Sequence, residues 1–181
     1  MEEKNLFLID GHAVLYRSYY AFINSPRINS KGVNTSAIFG FVNTLNDLIV
    51  KQKPSHIGVV FDPVGKTFRH EMYEQYKANR QASPEDLKAA IPEVIEIVKA
   101  MNIPVVQKEG YEADDIIGTL AKQAAREGFM VYMVTPDKDY GQLVGEHRKL
   151  YKQKGDGIEI VDKEAIQVKY GIDRPELVRD I

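Results

Sequence analysis

Three apolar runs of strand length, Leu6-Phe7-Leu8-Ile9, Ile57-Gly58-Val59-Val60-Phe61 and Met130-Val131-Tyr132-Met133-Val134, each lead into acids: Asp10, Asp62 and the pair Asp137/Asp139. Short continuous apolar runs bounded by turn residues read as strands buried on both faces. Helical patterns lie between them. This alternation predicts an α/β fold with a mostly parallel central sheet flanked by helices, joined by right-handed crossovers. In such sheets a site forms outside the carboxyl ends of the strands, which is where these acids fall.

Along the chain, Ala13 to Phe22 is aromatic-rich and reads as helical at first, and Asn24 to Asn34 reads as a loop. Ile38, Phe39, Val42, Leu45 and Ile49 keep helical spacing behind a Thr35-Ser36 N-cap until Pro54. Ser83-Pro84-Glu85-Asp86 opens a helix with Ser83 as N-cap, running to Met101-Asn102 and interrupted or kinked at Pro92. A strand over Ile103–Val106 precedes a helix from Glu112 to Glu127, which Gly128 stops. Beyond Asp139, Lys149–Lys152 and Gly157–Val161 form a hairpin around Gly155-Asp156-Gly157. A helix over Asp162–Lys169 follows, with a last helix start at Pro175.

The stretch Gly110-Tyr111-Glu112-Ala113-Asp114-Asp115 concentrates carboxylates at a helix start. Helix capping would stabilise each by about 0.3–1 kcal/mol, which leaves capping as one explanation. A bound cation is the other, because like charges this close repel. On an ideal helix Glu112 and Asp115 lie ~60° apart and Asp114 points ~100° from Asp115. The first turn is therefore expected to be irregular, or Asp114 to act through a metal-bound water. Asp10, Asp62, Glu112, Asp114, Asp115, Asp137 and Asp139 are all aimed at one crevice. The chain has no Cys, and His12, His56, His70 and His147 are scattered, so nothing resembles a zinc site. Oxygen ligands favour Mg²⁺ or Mn²⁺, and two such ions about 4 Å apart could share these acids. On repulsion alone, Asp115→Asn should leave the metal-free fold intact or more stable.

The 181 residues, 44% of them hydrophobic, suffice for one domain with a substantial core. A net charge of −2 supplies no global basic field, so a nucleic-acid partner must be read from local patches. Lys66 to Arg80 is such a patch. If it is helical, Arg69, Tyr73, Tyr76, Lys77 and Arg80 share a face suited to phosphates and stacked bases. A solvated surface helix with tyrosines resting on the body is the alternative. Met1-Glu2-Glu3-Lys4 is neither a signal peptide nor a membrane span, which makes the cytoplasm the expected location.

Taken together, Leu8-Ile9-Asp10-Gly11 with Leu15-Tyr16-Arg17, Phe61-Asp62 with Phe68-Arg69 and Tyr76-Lys77-Ala78-Asn79-Arg80, the Gly110–Asp115 run, and Thr135-Pro136-Asp137-Lys138-Asp139 with Gln142-Leu143 resemble the 5′-nuclease domain at the N-terminus of bacterial DNA polymerase I, a member of the flap-endonuclease family. The resemblance implies a resolvase-like, PIN-related fold and a 5′-3′ exonuclease or flap endonuclease dependent on two divalent ions, Mg²⁺ or Mn²⁺. It implies DNA bearing 5′ flaps, nicks or RNA primers as substrate, a monomer, no membrane, a nucleoid-associated place in a bacterial cytoplasm, and continuation into a polymerase. Asp10, Asp62, Glu112, Asp114, Asp115, Asp137 and Asp139 match the metal-site acids. Lys77 and Arg80 match the catalytic basic pair. Tyr76 and Arg17 match substrate contacts, with core-edge packing as the alternative for Arg17 and Tyr16. The expected organisation is a nuclease domain over 1–175, with a helical substrate gateway over 65–82, and the start of a truncated DNA-binding module over 176–181. The family's further Gly-Asp-x-x-Asp-Asn segment is not found, which leaves open a module that binds nucleic acid or metal without cleaving. A small PIN-type ribonuclease also fits the acids.

Overall fold

A computed structural model describes residues 4–73, 75–76, 82–155, 157–171, 175 and 178. Among them run β1 (Asn5–Asp10), α1 (Gly11–Ala21), α2 (Ser36–Gln52), β2 (His56–Val60), α3 (Phe68–Met72), α4 (Glu85–Ala100), β3 (Val105–Val106), α5 (Ala113–Arg126), β4 (Met130–Val134), a short 3-10 turn (Asp139–Leu143), β5 (Arg148–Lys154), β6 (Gly157–Val161) and α6 (Lys163–Tyr170). The sheet order is β3-β2-β1-β4-β5-β6, parallel throughout except for the final antiparallel β5–β6 pair.

The alternation of side chains along the strands builds two cores. Phe7 and Ile9 of β1 face Leu15, Phe41, Leu45, Leu87 and Val94 of α1, α2 and α4. Leu8 points the other way and meets Ile117 and Ala121 of α5, with Met133 and Leu150. The result is a sheet covered on both faces, as the unbroken apolar strands require. Because the chain leaves β1 toward β2 and β3 and then crosses back to β4, the order reverses beside β1. Acids at the carboxyl ends of β1, β2 and β4 therefore surround a switch point, where open α/β sheets form crevices.

Several details depart from the sequence reading. Pro84, not Ser83, is the N-cap of α4, because the Ser83 hydroxyl is hydrogen-bonded to that of Tyr16. Helix α4 runs unbroken through Pro92, which is exposed, so the carbonyl that loses its partner can turn to water. The gateway helix expected over 65–82 is realised only at Phe68–Met72 among the described residues; Tyr73 is already extended. Lys77 and Arg80 lie outside the described residues, as does most of the expected helix start at Pro175. The Gly155–Gly157 hairpin is present.

Candidate active site

Asp10 ends β1 and caps α1: its Oδ1 accepts the Ala13 N–H at 3.0 Å. The next residue must be very small, because a Cβ on Gly11 would lie 2.5 Å from the buried Phe61 ring. Asp62, just beyond β2, turns its Oδ1 to the Ala113 N–H at 2.7 Å and so binds the start of α5 to the sheet mouth. Glu112 precedes that helix in extended conformation, and its N–H donates to Asp115 Oδ2 at 3.1 Å. The acidic run thus does cap its helix. Placing Glu112 outside the helix also removes the ideal-helix angle to Asp115 that spacing predicted.

Beyond β4, Thr135 knits the turn to the centre. Its hydroxyl donates to Asp10 Oδ2 at 3.1 Å and accepts the Asp137 N–H at 3.2 Å. Asp137 Oδ1 in turn accepts the Asp139 N–H at 2.9 Å. The hydroxyl of buried Tyr140 reaches Asp114 Oδ1 at 2.7 Å and Asp10 Oδ2 at 3.4 Å. Sequence reasoning places Thr135 in a family motif but assigns it no role, and does not single out Tyr140. The available signal was that a large apolar residue with a hydroxyl, buried beside acids, needs a polar partner.

Asp10, Asp62, Glu112, Asp114 and Asp137 line one cavity of about 510 Å³, together with Arg17, Tyr16, Tyr20 and His12. Asp115 and Asp139 open instead onto an adjoining cleft of about 530 Å³, with Arg69, Lys122 and Tyr140 on its walls; Asp114 borders both. The expected single crevice is therefore two, divided by the first turn of α5, because consecutive helical residues diverge by ~100°.

Burial, with Asp114 and Asp62 adding repulsion, pushes the Asp10 carboxyl up to about 6, although Ala13 and Thr135 oppose the shift. Asp114 is also raised, chiefly by burial of its inner side, while the Tyr140 bond pulls it back; its outer side remains exposed. Burial beside these acids raises the Tyr140 hydroxyl far above its ordinary range, so it stays protonated and donates. His12 Nδ1 accepts the Asp62 N–H at 3.2 Å, which assigns the ring proton to Nε2. Its 3.8 Å approach to the Asp62 carboxylate is then not an ion pair.

The basic and aromatic residues are divided. Arg17 lines the cavity, and its guanidinium lies 3.5 Å from Gln153 Oε1. Arg69 turns to the acids, gripping Asp115 at 2.6 and 2.7 Å, and Tyr76 donates to Glu112 Oε2 at 3.0 Å. Tyr73 is 60% exposed and bonds to Gln75, so it does not join Arg69 and Tyr76 on one face.

The central cavity gathers five carboxylates from different elements, and oxygen donors of this kind suit a hard divalent cation. Among the described residues no three His, Asp or Glu side chains are gathered closely enough to hold an ion as they stand. Arg69 and Tyr140 hold several of the oxygens instead. No helix among the described residues is long and apolar enough to cross a membrane.

Comparison with known proteins matches residues 5–171 to the family model of the 5′-3′ exonuclease, N-terminal resolvase-like domain. DNA polymerase I of Bacillus caldotenax is 41% identical over 99% of this chain, which spans 20% of that protein. A 5′-3′ exonuclease of Aquifex aeolicus is 40% identical over 98% of this chain and 60% of its own length. The chain thus spans a fifth to three-fifths of these curated relatives. Among solved structures, T5 5′-exonuclease with bound zinc superposes with a TM-score of 0.67 at 18% identity, over 97% of this chain and 64% of that one.

Proposed function

This chain belongs to the family of 5′-3′ exonuclease, N-terminal resolvase-like domains, and we propose that it hydrolyses phosphodiester bonds in DNA from 5′ ends and at 5′ flaps, nicks and RNA primers. The observation that carries the reading is the convergence of Asp10, Asp62, Glu112, Asp114 and Asp137 on one cavity at the switch point of the sheet. The reading of DNA as substrate and of a continuation into a polymerase is supported by relatives such as a DNA polymerase I. The nuclease unit is taken to run over 1–175, in a bacterial cytoplasm and working as a monomer.

Two divalent cations, Mg²⁺ or Mn²⁺, would be held by Asp10, Asp62, Glu112, Asp114 and Asp137, with Asp115 and Asp139 on the adjoining side. Bound there, they would supply an activated water and neutralise charge on the phosphoryl oxygens. The protein's own part is positional. Thr135 and Tyr140 hold Asp10 and Asp114 at fixed orientations, and the α5 N–H of Ala113 does the same for Asp62. Arg17, on the cavity wall, supplies a fixed positive charge for a phosphate. Lys77 and Arg80 act as the catalytic basic pair on the scissile phosphate, with Tyr76 stacking near the 5′ end.

The test is cleavage of a 5′-flapped duplex by the 181-residue chain in Mg²⁺ and in Mn²⁺, beside Asp62→Asn and a chelated control. Cutting near the flap junction that disappears in both controls is the expected result. Mn²⁺ binding without cleavage would make the chain a metal- and nucleic-acid-binding module, which the ungathered acids also permit. Preference for single-stranded RNA over flapped DNA would assign it to the PIN-type ribonucleases.

A further inference from the structure

The segment before α4 is tied to the acids of α5. Arg69 of α3 donates through Nη1 to Asp115 Oδ2 at 2.6 Å and through Nη2 to Asp115 Oδ1 at 2.7 Å, and Nη1 lies 3.4 Å from Glu112 Oε2. The pair is sheltered: side-chain exposure is 31% for Arg69, 24% for Asp115 and 7% for Glu112. The Phe68 ring sits 4.7 Å from the guanidinium carbon, and Tyr76 holds the same Glu112 oxygen at 3.0 Å. A fork-to-carboxylate pair is among the stronger polar contacts, and a guanidinium cannot shed its proton to escape an approaching cation. It is therefore a permanent positive charge placed against acids that the metal-dependent reading needs for a divalent ion.

We propose that Arg69 is a built-in counter-ion for Asp115 and Glu112, a positioning residue whose charge opposes cation loading and links that loading to the docking of α3 and Tyr76 onto α5. The proposal rests on the metal-dependent reading above. Without a cation, Arg69 holds the two acids in place. With a cation, the same oxygens have two claimants, and by linkage whatever tightens one weakens the other equally. This gives Arg69 a role within the chain itself, since both of its terminal nitrogens are engaged with protein carboxylates.

Calorimetric titration of the full chain with MnCl₂, for the wild type, Arg69→Gln and Arg69→Lys, tests it. Arg69→Gln should bind Mn²⁺ about tenfold more tightly, because a unit positive charge has left the acids. Arg69→Lys, which keeps the charge and loses the fork, should stay within about twofold of wild type. A merely structural arginine would leave affinity unchanged or lower it, and either result in Arg69→Gln overturns the proposal. A second measurement needs no variant. The Tyr73 N–H donates to Arg69 O at 2.9 Å, and its hydrogen exchange should speed severalfold when Mg²⁺ saturates the wild type. Unchanged exchange at saturation overturns the linkage. Measurable but equal Mn²⁺ affinity in all three proteins refutes this proposal alone, whereas no Mn²⁺ binding in any of them refutes the metal-dependent reading as well.

Discussion

The Tyr140 hydroxyl donates to Asp114 Oδ1 at 2.7 Å and stands 3.4 Å from Asp10 Oδ2, so one buried phenol bridges acids contributed by β1 and α5. It does for Asp10 and Asp114 part of what a cation would do. Tyr140→Phe keeps the ring packing and deletes only the donor. The chelated variant should lose about 1 kcal/mol at pH 8, a hydrogen bond to a charged group discounted for the exposed side of Asp114. The loss should shrink at pH 5, where Asp10 is largely protonated. Thermal melts at the two pH values check this; an equal loss at both would show that the contribution of the hydroxyl does not depend on the charge of Asp10.

Asp10 predicts an inverted pH dependence for the metal-free protein. Its folded value, about 6, lies above the ordinary 3.8, so the folded state takes up the proton first. The contribution is fully present below about 3.8 and is lost as the pH rises through about 6. Between pH 7 and 4 this one group should therefore stabilise the chelated protein by roughly 2 kcal/mol. Asp10→Asn should flatten that slope while keeping the cap on α1. Urea unfolding as a function of pH, with chelator, measures both slopes, and parallel curves would refute the assignment.

Asp115→Asn changes sign once the tertiary structure is known. Repulsion alone predicted a neutral or stabilising effect. The forked pair with Arg69 and the bond from the Glu112 N–H make Asp115 structural in the metal-free state. The substitution should destabilise the chelated protein by about 1–2 kcal/mol, since it leaves a sheltered arginine with a weakened partner. A rise in melting temperature would restore the repulsion argument.

Gly11→Ala should cost about 1–3 kcal/mol through overpacking, since its Cβ would meet Phe61 Cε1 at 2.5 Å and Cζ at 2.6 Å. Because Gly11 follows Asp10, the variant should also lower Mn²⁺ affinity. Combined with Phe61→Leu the losses should be less than additive, as the clash then has room to relax. Additive stabilities in the four-protein cycle would count against the contact.

Most of the architecture was legible in local sequence. Apolar runs such as Leu6–Ile9 and Met130–Val134 can satisfy their side chains only as strands covered on both faces, and the helices between them carry their own periodicity and caps. That pattern also put Asp10, Asp62 and Asp137 at strand ends, and strand ends at one side of a parallel sheet must converge. What the sequence could not contain was the partner of each acid. Glu112 and Asp115 are claimed by Arg69 and Tyr76 across sequence separations of 43, 46 and 36 residues, and Asp10 by Thr135 and Tyr140 across 125 and 130. Local propensity acts over a few residues, whereas charge compensation is decided by distance in space. The sequence by itself therefore determined which strands, which helices and which acids. Only the packing of α3, α5 and the turn after β4 against one another decided which acids share a cavity and which are held by the protein's own arginine and tyrosines.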